Sequence, residues 1–160
     1  MNSTAPNTAG TPGTAVITGA ASGFGLEASR IAARRGRSVV MADVQPDALE
    51  LASKEIERLG AKVLALRCDV SKAADVERVA EQTQARFGAP TFVFNNAGVG
   101  AGGLIWEHTA KDWEWVLGVN LFGVAHGVRL FTPMMLAAAK ADPGYHGIVQ
   151  VTSQPSHYKH

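Results

Sequence analysis

The sequence predicts an α/β fold in which helices cover both faces of a doubly wound parallel sheet. Two observations predict it. Five short apolar segments alternate with segments of helical periodicity, and each apolar segment is followed by glycines or polar residues. Continuous apolar runs are typical of strands buried on both faces, and their alternation with helices predicts parallel strands joined by right-handed crossovers. Ligands of such sheets bind beyond the carboxyl ends of the strands, so the polar segments are expected to meet at one edge.

Residues 14–43 contain the first two strands, with a glycine turn and a helix between them. Gly19, Gly23 and Gly25 allow a sharp turn, and the N–H groups and dipole of the helix that follows suit a pyrophosphate. Asp43 ends the second strand, where a carboxylate can bind the hydroxyls of an adenosine ribose. The spacing Gly-x3-Gly-x-Gly differs from the common Gly-x-Gly-x2-Gly, and glycines alone would equally fit a flexible loop. The surrounding strand, helix and acid favour nucleotide binding.

The other elements follow from apolar periodicity and from residues that begin or end helices. Ser71 is expected to cap the third helix. Gly60 and Gly88 are expected to follow the ends of the second and third helices, and Pro133 to bend a long fourth one. The expected helices span 25–35, 47–59, a segment between Ser71 and Gly88, and 112–140, and the later strands span 62–66, 91–94 and 147–153. Residues 1–13 are expected to form a disordered tail and residues 154–160 an irregular one.

The long helix is expected to turn one apolar face inward. Asn120 falls on that face, where an unpaired amide would be costly, so it is expected to have a specific hydrogen-bond partner. A solvent-facing helix residue is the alternative. The rest of the face consists of Trp113, Val116, Leu117, Leu121, Val124, Val128 and Phe131.

A second glycine run, at residues 98–103, also follows a strand and fits Gly-x-Gly-x2-Gly. No acidic residue lies about 20 positions further on, so a second dinucleotide site is not expected. We expect a mobile loop beside a substrate pocket, with Leu104, Ile105 and Trp106 as candidates to line it. Simple packing is the alternative for Trp106.

Composition excludes several classes of function. The 160 residues carry a net charge of +1, and neither a basic excess nor a charge block indicates a nucleic acid or an anionic membrane as partner. No run of 18 apolar residues and no secretory signal are visible, so a soluble, cytoplasmic protein is expected. The five histidines show no metal-ligand spacing, so no metal is expected. Cys68 is the single cysteine, which excludes an internal disulfide, and is expected to be a small buried residue beside a strand.

Several motifs occur together in a familiar order. They are Thr18-Gly19-Ala-Ala-Ser-Gly23-Phe-Gly25, Asp69-Val70, Asn95-Asn96-Ala97-Gly98, Asn120, and the strand that ends in Ser153. In this respect the chain resembles the classical short-chain dehydrogenases/reductases over residues 14–153. The resemblance implies a Rossmann-type domain that binds NAD(P) and interconverts an alcohol and a carbonyl by hydride transfer. It also implies a small-molecule alcohol or carbonyl as substrate.

The resemblance implies a role for each matching residue. The glycine turn, with Ser22 and Phe24, would bind the pyrophosphate, and Asp43 the adenine ribose. Asp69 and Val70 would flank the adenine. Asn96, Ala97 and Gly98 would stabilise the sheet and touch the nicotinamide ribose. Asn120 and Ser153 match two of the four catalytic residues. Because the carboxylate of Asp43 would repel a 2′-phosphate and no arginine follows it, NAD is favoured over NADP.

The sequence departs from the family after Ser153. The family has a catalytic tyrosine about a dozen residues later and a lysine one helical turn beyond it. Here Tyr158 and Lys159 are adjacent and cannot share a helix face, so those roles are not carried over. We therefore expect a C-terminally shortened member whose sheet is truncated after the fifth strand and whose oxidoreductase activity is impaired. Its bare strand edge and helix stripe would invite association, including a homo-oligomer.

Two alternatives remain open. The first is a non-catalytic NAD-binding fragment or interaction module. The second is a methyltransferase, which also uses an acid after its second strand, although the run at residues 95–98 and the strand ending in Ser153 speak against it.

Overall fold

The computed structural model describes residues 12–152 and confirms the doubly wound parallel sheet. All strand pairs are parallel and the strand order is β3-β2-β1-β4-β5, with β1 central. Most observed bounds lie within one or two residues of the expected ones. The strands are β1 Thr14–Thr18, β2 Ser38–Asp43, β3 Val63–Arg67, β4 Phe92–Asn95 and β5 Ile148–Val151. The helices are α1 Gly23–Arg34, α2 Pro46–Arg58, α3 Ala73–Phe87, α4 Ala110–Leu117 and α5 Val124–Ala141, with a short 3-10 helix at Ile105–Glu107 and a π-helical turn at Gly118–Gly123.

The two tails expected from the sequence fall largely outside the described residues. Of the N-terminal segment 1–13, only Pro12 and Gly13 are described, and they lie against Gly36 and Thr91 respectively. The C-terminal segment 154–160 and Ser153 lie wholly outside the described range.

Apolar side chains pack on both faces of the sheet because successive strand residues point to opposite sides. On one face, Ile17 of β1 belongs to a buried cluster that α1 and α2 cover. On the other face, Val16 of β1 and Phe131 of α5 belong to a cluster that includes α3. Cys68 lies 2% exposed in this second cluster, beside the end of β3, which confirms its expected place.

The start of α3 differs from the expectation that Ser71 caps it. The residue before the helix is Lys72, which makes no side-chain capping bond. The Ser71 hydroxyl instead donates to Asp69 Oδ1 at 2.6 Å. The prediction was wrong because the aspartate two residues earlier accepts both the hydroxyl and the backbone N–H of Ser71.

The long fourth helix is continuous from Ala110 to Ala141, but it is not α-helical throughout. Its interruption is the π turn Gly118–Gly123, whereas α5 continues through Pro133. The expected inward face is therefore only partly correct. Phe131 is 1% exposed, but four other members of that face, Trp113, Leu117, Leu121 and Val128, are 38–55% exposed.

The residues that pack inward along this helix are Gly123, Gly127, Phe131 and Met135. The expectation applied one α-helical period across all 29 residues, and the π turn shifts that period by one position. Residues 110–141 are also long and apolar enough to cross a bilayer by length and composition, although the sequence contains no run of 18 apolar residues. The same helix packs against β4 and α3.

Candidate functional site

The glycine turn after β1 has a geometry that only glycines fit. Gly19 and Gly23 have φ values of +64° and +52°, in the region that side chains disfavour. A Cβ on Gly25 would overlap the carbonyl oxygen of Gly19. The helix α1 begins at Gly23 after Ser22, whose side chain makes no capping bond, and its first turn holds no acidic residue. Its N-terminus therefore presents open N–H groups with no acidic residue in its own first turn, which suits an anion. Phe24 stands 65% exposed next to it.

The carboxylate of Asp43 is fastened to this turn. Its Oδ2 accepts the N–H of Ala21 at 2.9 Å, and its Oδ1 accepts the N–H of Gln45 at 3.0 Å. Asp43 is 8% exposed. Each carboxylate oxygen retains a lone pair, so ribose hydroxyls can still donate to it. Asp43 thus does two things at once, since it holds the glycine turn and presents a negative group at the strand edge.

The ends of β1 and β4 are joined by a set of hydrogen bonds centred on Thr18. The Thr18 hydroxyl oxygen accepts the N–H groups of Asn96 and Ala97, each at 3.0 Å. The Asn96 side chain donates to the carbonyl oxygens of Thr18 and Gly19, at 3.1 and 3.4 Å. Asn96 thereby fixes the position of the glycine turn against β4. Sequence reasoning did not include Thr18 among the site residues, although a threonine closing an apolar strand was a usable signal.

Asp69 and Val70 lie at the same edge, after β3. The Asp69 N–H donates to Asp75 Oδ2 at 2.9 Å, and this bond, with help from Arg78, lowers the pKa of Asp75. The side chain of Val70 is 6% exposed and packs in the cluster beneath the sheet. Anything that Val70 offers to a ligand at the edge would therefore come from its backbone.

Asn120 lies in the π turn and has the specific partner expected of it. Its Oδ1 accepts the Val99 N–H and its Nδ2 donates to the Val99 carbonyl oxygen, both at 2.8 Å. This pair of bonds ties the helix to the loop that follows Gly98. The amide is satisfied in the way that buried amides are in native proteins.

A cavity of about 300 Å³ opens beside Asn120. Ile105 lines it, as expected, whereas Leu104 and Trp106 do not and are 50% and 76% exposed. Trp113, expected to pack inward, lines this cavity instead. The remaining lining residues are Val99, Gly100, Ala101, His108, Asp112 and Val116.

Two further groups near the edge bear on chemistry. Burial raises the pKa of the Cys68 thiol to about 12, so this cysteine is not a reactive nucleophile at neutral pH. Asn95, the last residue of β4, is 2% exposed, and neither polar atom of its side chain has a hydrogen-bond partner within residues 12–152. Sequence reasoning treated Asn95 only as part of a motif.

Among the residues that the structure describes, no group of three or more His, Cys, Asp or Glu could hold a metal ion.

The strand ends therefore bring most of the expected residues to one edge of the sheet. The glycine turn, Asp43, Asp69 and Asn96–Gly98 meet there, and Asn120 reaches the same edge from the helix. Ser153 lies outside the described residues. This arrangement defines the class of the protein, an α/β protein with a doubly wound parallel sheet and a polar edge at the strand ends.

Comparison with known proteins identifies the family. The family model described as short chain dehydrogenase matches residues 13–160. C alpha-dehydrogenase of a Sphingobium species is 39% identical over 140 residues, which cover 87% of this chain and 45% of that protein. A short chain dehydrogenase/reductase from Burkholderia phymatum, solved in complex with NAD, superposes with a TM-score of 0.77 at 48% identity, covering 79% of this chain and 45% of that one. An alcohol dehydrogenase from Thermococcus sibiricus, complexed with 5-hydroxy-NADP, gives 0.78 at 30% identity, covering 87% and 57%.

The chain belongs to the short-chain dehydrogenase/reductase family, whose members bind NAD(P). It spans about half the length of the curated relatives it matches.

Proposed function

We propose that residues 14–153 form an NAD-binding domain of an oxidoreductase that interconverts an alcohol and a carbonyl. The observation that carries the proposal is the joint geometry of the glycine turn and Asp43. Open N–H groups at the start of α1 suit a diphosphate, and the carboxylate fastened to the same turn suits the ribose hydroxyls. A bound nicotinamide would supply the hydride acceptor or donor.

The remaining residues of the site would orient the nucleotide and the substrate. Asn96, Ala97 and Gly98 stand where the end of β4 would meet the nicotinamide ribose. Asn120 and Ser153 are the proposed catalytic residues by family match, and the cavity beside Asn120 is the proposed entry for a small alcohol or carbonyl compound.

NAD is favoured over NADP because of the charge of Asp43. Its two hydrogen bonds to backbone N–H groups hold the carboxylate in place, so it cannot easily turn away from a 2′-phosphate. The negative carboxylate of Asp43 would repel the negative 2′-phosphate of NADP bound beside it, which opposes NADP binding.

A polypeptide of residues 1–160 assayed on its own is expected to turn over weakly, because Tyr145 is followed four residues later by Val149 and Tyr158 is directly followed by Lys159. A missing positioned acid or base typically costs about 10²–10⁴-fold in rate. An NAD-binding fragment or interaction module without activity is therefore the second candidate.

Calorimetric titration of the chain with NAD, NADP and S-adenosylmethionine separately tests the proposal. We expect binding of NAD, weaker binding of NADP and none of S-adenosylmethionine. Binding of S-adenosylmethionine alone would overturn the dehydrogenase assignment. An assay on a panel of secondary alcohols then separates the two candidates, because robust turnover would exclude the inactive fragment.

A further inference from the structure

Three glycines of the long helix, residues 110–141, face the edge of the sheet. An added Cβ on Gly123 would lie 2.6 Å from Val70 Cγ2, and one on Gly118 would lie 3.3 Å from Ser71 Cβ. A Cβ on Gly127 would overlap the Asn95 amide. The helix backbone therefore lies directly against the segment after β3 and against the end of β4.

The π turn is what lets these contacts coexist. In a regular α-helix, residues five apart point about 140° away from each other. In a π turn the backbone bonds join residues five apart, which places Gly118 and Gly123 on the same side. Gly127 follows Gly123 by four residues and shares its side in α5. One extra residue in this turn thus brings all three glycines to the same edge.

The same turn sets the direction of Asn120. That residue lies between Gly118 and Gly123, and its side chain forms the two 2.8 Å bonds to Val99. The Asn95 amide lies beneath the helix at Gly127, nearly fully buried and without a partner in the described part of the chain. A helix seated at this depth encloses an unpaired polar group, which costs free energy that other contacts of the helix must offset.

We propose that Gly123 is a positioning residue that couples Asp69 and Val70, expected at the adenine end of the site, to Asn120, expected at the reacting end. The helix rests on Val70 at Gly123, so any shift of Val70 moves the π turn and with it the Asn120–Val99 pair. The inference rests on the proposed function for the meaning of the two ends, but the contact itself is independent of any nucleotide.

The test introduces the missing methyl group and then makes room for it. Gly123→Ala is expected to weaken binding of adenosine diphosphate by about tenfold, because overpacking displaces the neighbour. It is also expected to accelerate hydrogen–deuterium exchange of the Val99 amide by about tenfold relative to amides of β1. The double variant Gly123→Ala with Val70→Ala removes the atom at 2.6 Å and is expected to recover much of both losses.

Ala125→Ser is the matched control, since it adds one heavy atom to an exposed position of the same helix. It should leave both measurements unchanged. The inference is overturned if Gly123→Ala changes only one of the two measurements, changes neither, or is not rescued by Val70→Ala. Absence of nucleotide binding in the unmodified chain would instead overturn the proposed function, while the exchange measurement would still test the coupling.

Discussion

Replacing Asp43 with asparagine tests whether its carboxylate holds the glycine turn even when no nucleotide is bound. The carboxylate accepts two backbone N–H groups, from Ala21 and Gln45. The asparagine amide has the same shape but only one acceptor oxygen, so one N–H group loses its partner. The contact with Ala21 is buried.

The size of the effect follows from the charge of the acceptor. A hydrogen bond to a charged group contributes about 1.5–3 kcal/mol, and a buried donor without a partner costs a similar amount. We therefore expect Asp43→Asn to lower the free energy of unfolding by about 2 kcal/mol in the absence of nucleotide. Urea unfolding followed by circular dichroism measures this loss. The slope of the free energy of unfolding against urea concentration should be the same in the variant and the unmodified chain.

Asp47→Asn is the control, because it removes one negative charge from an exposed position in the first turn of α2. Its cost should stay within about 0.3–1 kcal/mol, the range for a charge near a helix terminus. If Asp43→Asn costs no more than this control, the carboxylate does not hold the turn, and its role is confined to the ligand.

Three further predictions concern groups around the same edge. Thr18→Val should lower the free energy of unfolding by roughly 2–4 kcal/mol, because two N–H groups lose their acceptor. Thr18→Ser keeps the hydroxyl oxygen and is the control. Equal losses of stability in the two variants would refute the argument. The pKa of Asp75 is lowered from 3.8 by the Asp69 N–H, then by Arg78, so its contribution to stability is present above 3.8 and is lost as the pH falls through its lower folded-state pKa. Asp75→Asn should therefore cost stability at about pH 6 and little once the pH lies below that folded-state pKa, and a cost that is the same at both would contradict this assignment. The Cys68 thiol, with a pKa near 12, should react slowly with a disulfide reagent at about pH 8 in native protein and rapidly in urea; fast native labelling would show that it is not buried.

The sheet could be predicted because each strand is indicated by residues that are adjacent in the sequence. The apolar run that ends in Thr18 and the glycines that follow already determine a buried strand and a turn at a sheet edge. Asn120 was also expected to have a partner, since an unpaired amide on an apolar face is costly. Its actual partner, Val99, could not be inferred, because the direction of Asn120 depends on a π turn that apolar periodicity does not reveal.

Other errors came from competition between neighbouring groups. Ser71 is a common helix-capping residue type, but Asp69 lies two residues earlier and accepts its hydroxyl. The ribose role of Asp43 stays a prediction, and its contact with Ala21 is an additional one that could not be foreseen because it depends on how the turn folds back toward β2. Ala21 and Asp43 are 22 residues apart in the sequence, and no local motif indicates that two such residues will contact each other.

The π turn determines which side of the following helix faces the sheet. Winding Gly118–Gly123 as regular α-helix at unchanged length would rotate everything after it by about 100°. Phe131 and Met135 would then turn away from the sheet. A segment one residue shorter and wound as ordinary α-helix would keep the same side toward the sheet, so a one-residue gap in an alignment of this helix marks a change of winding and not a change of the buried face.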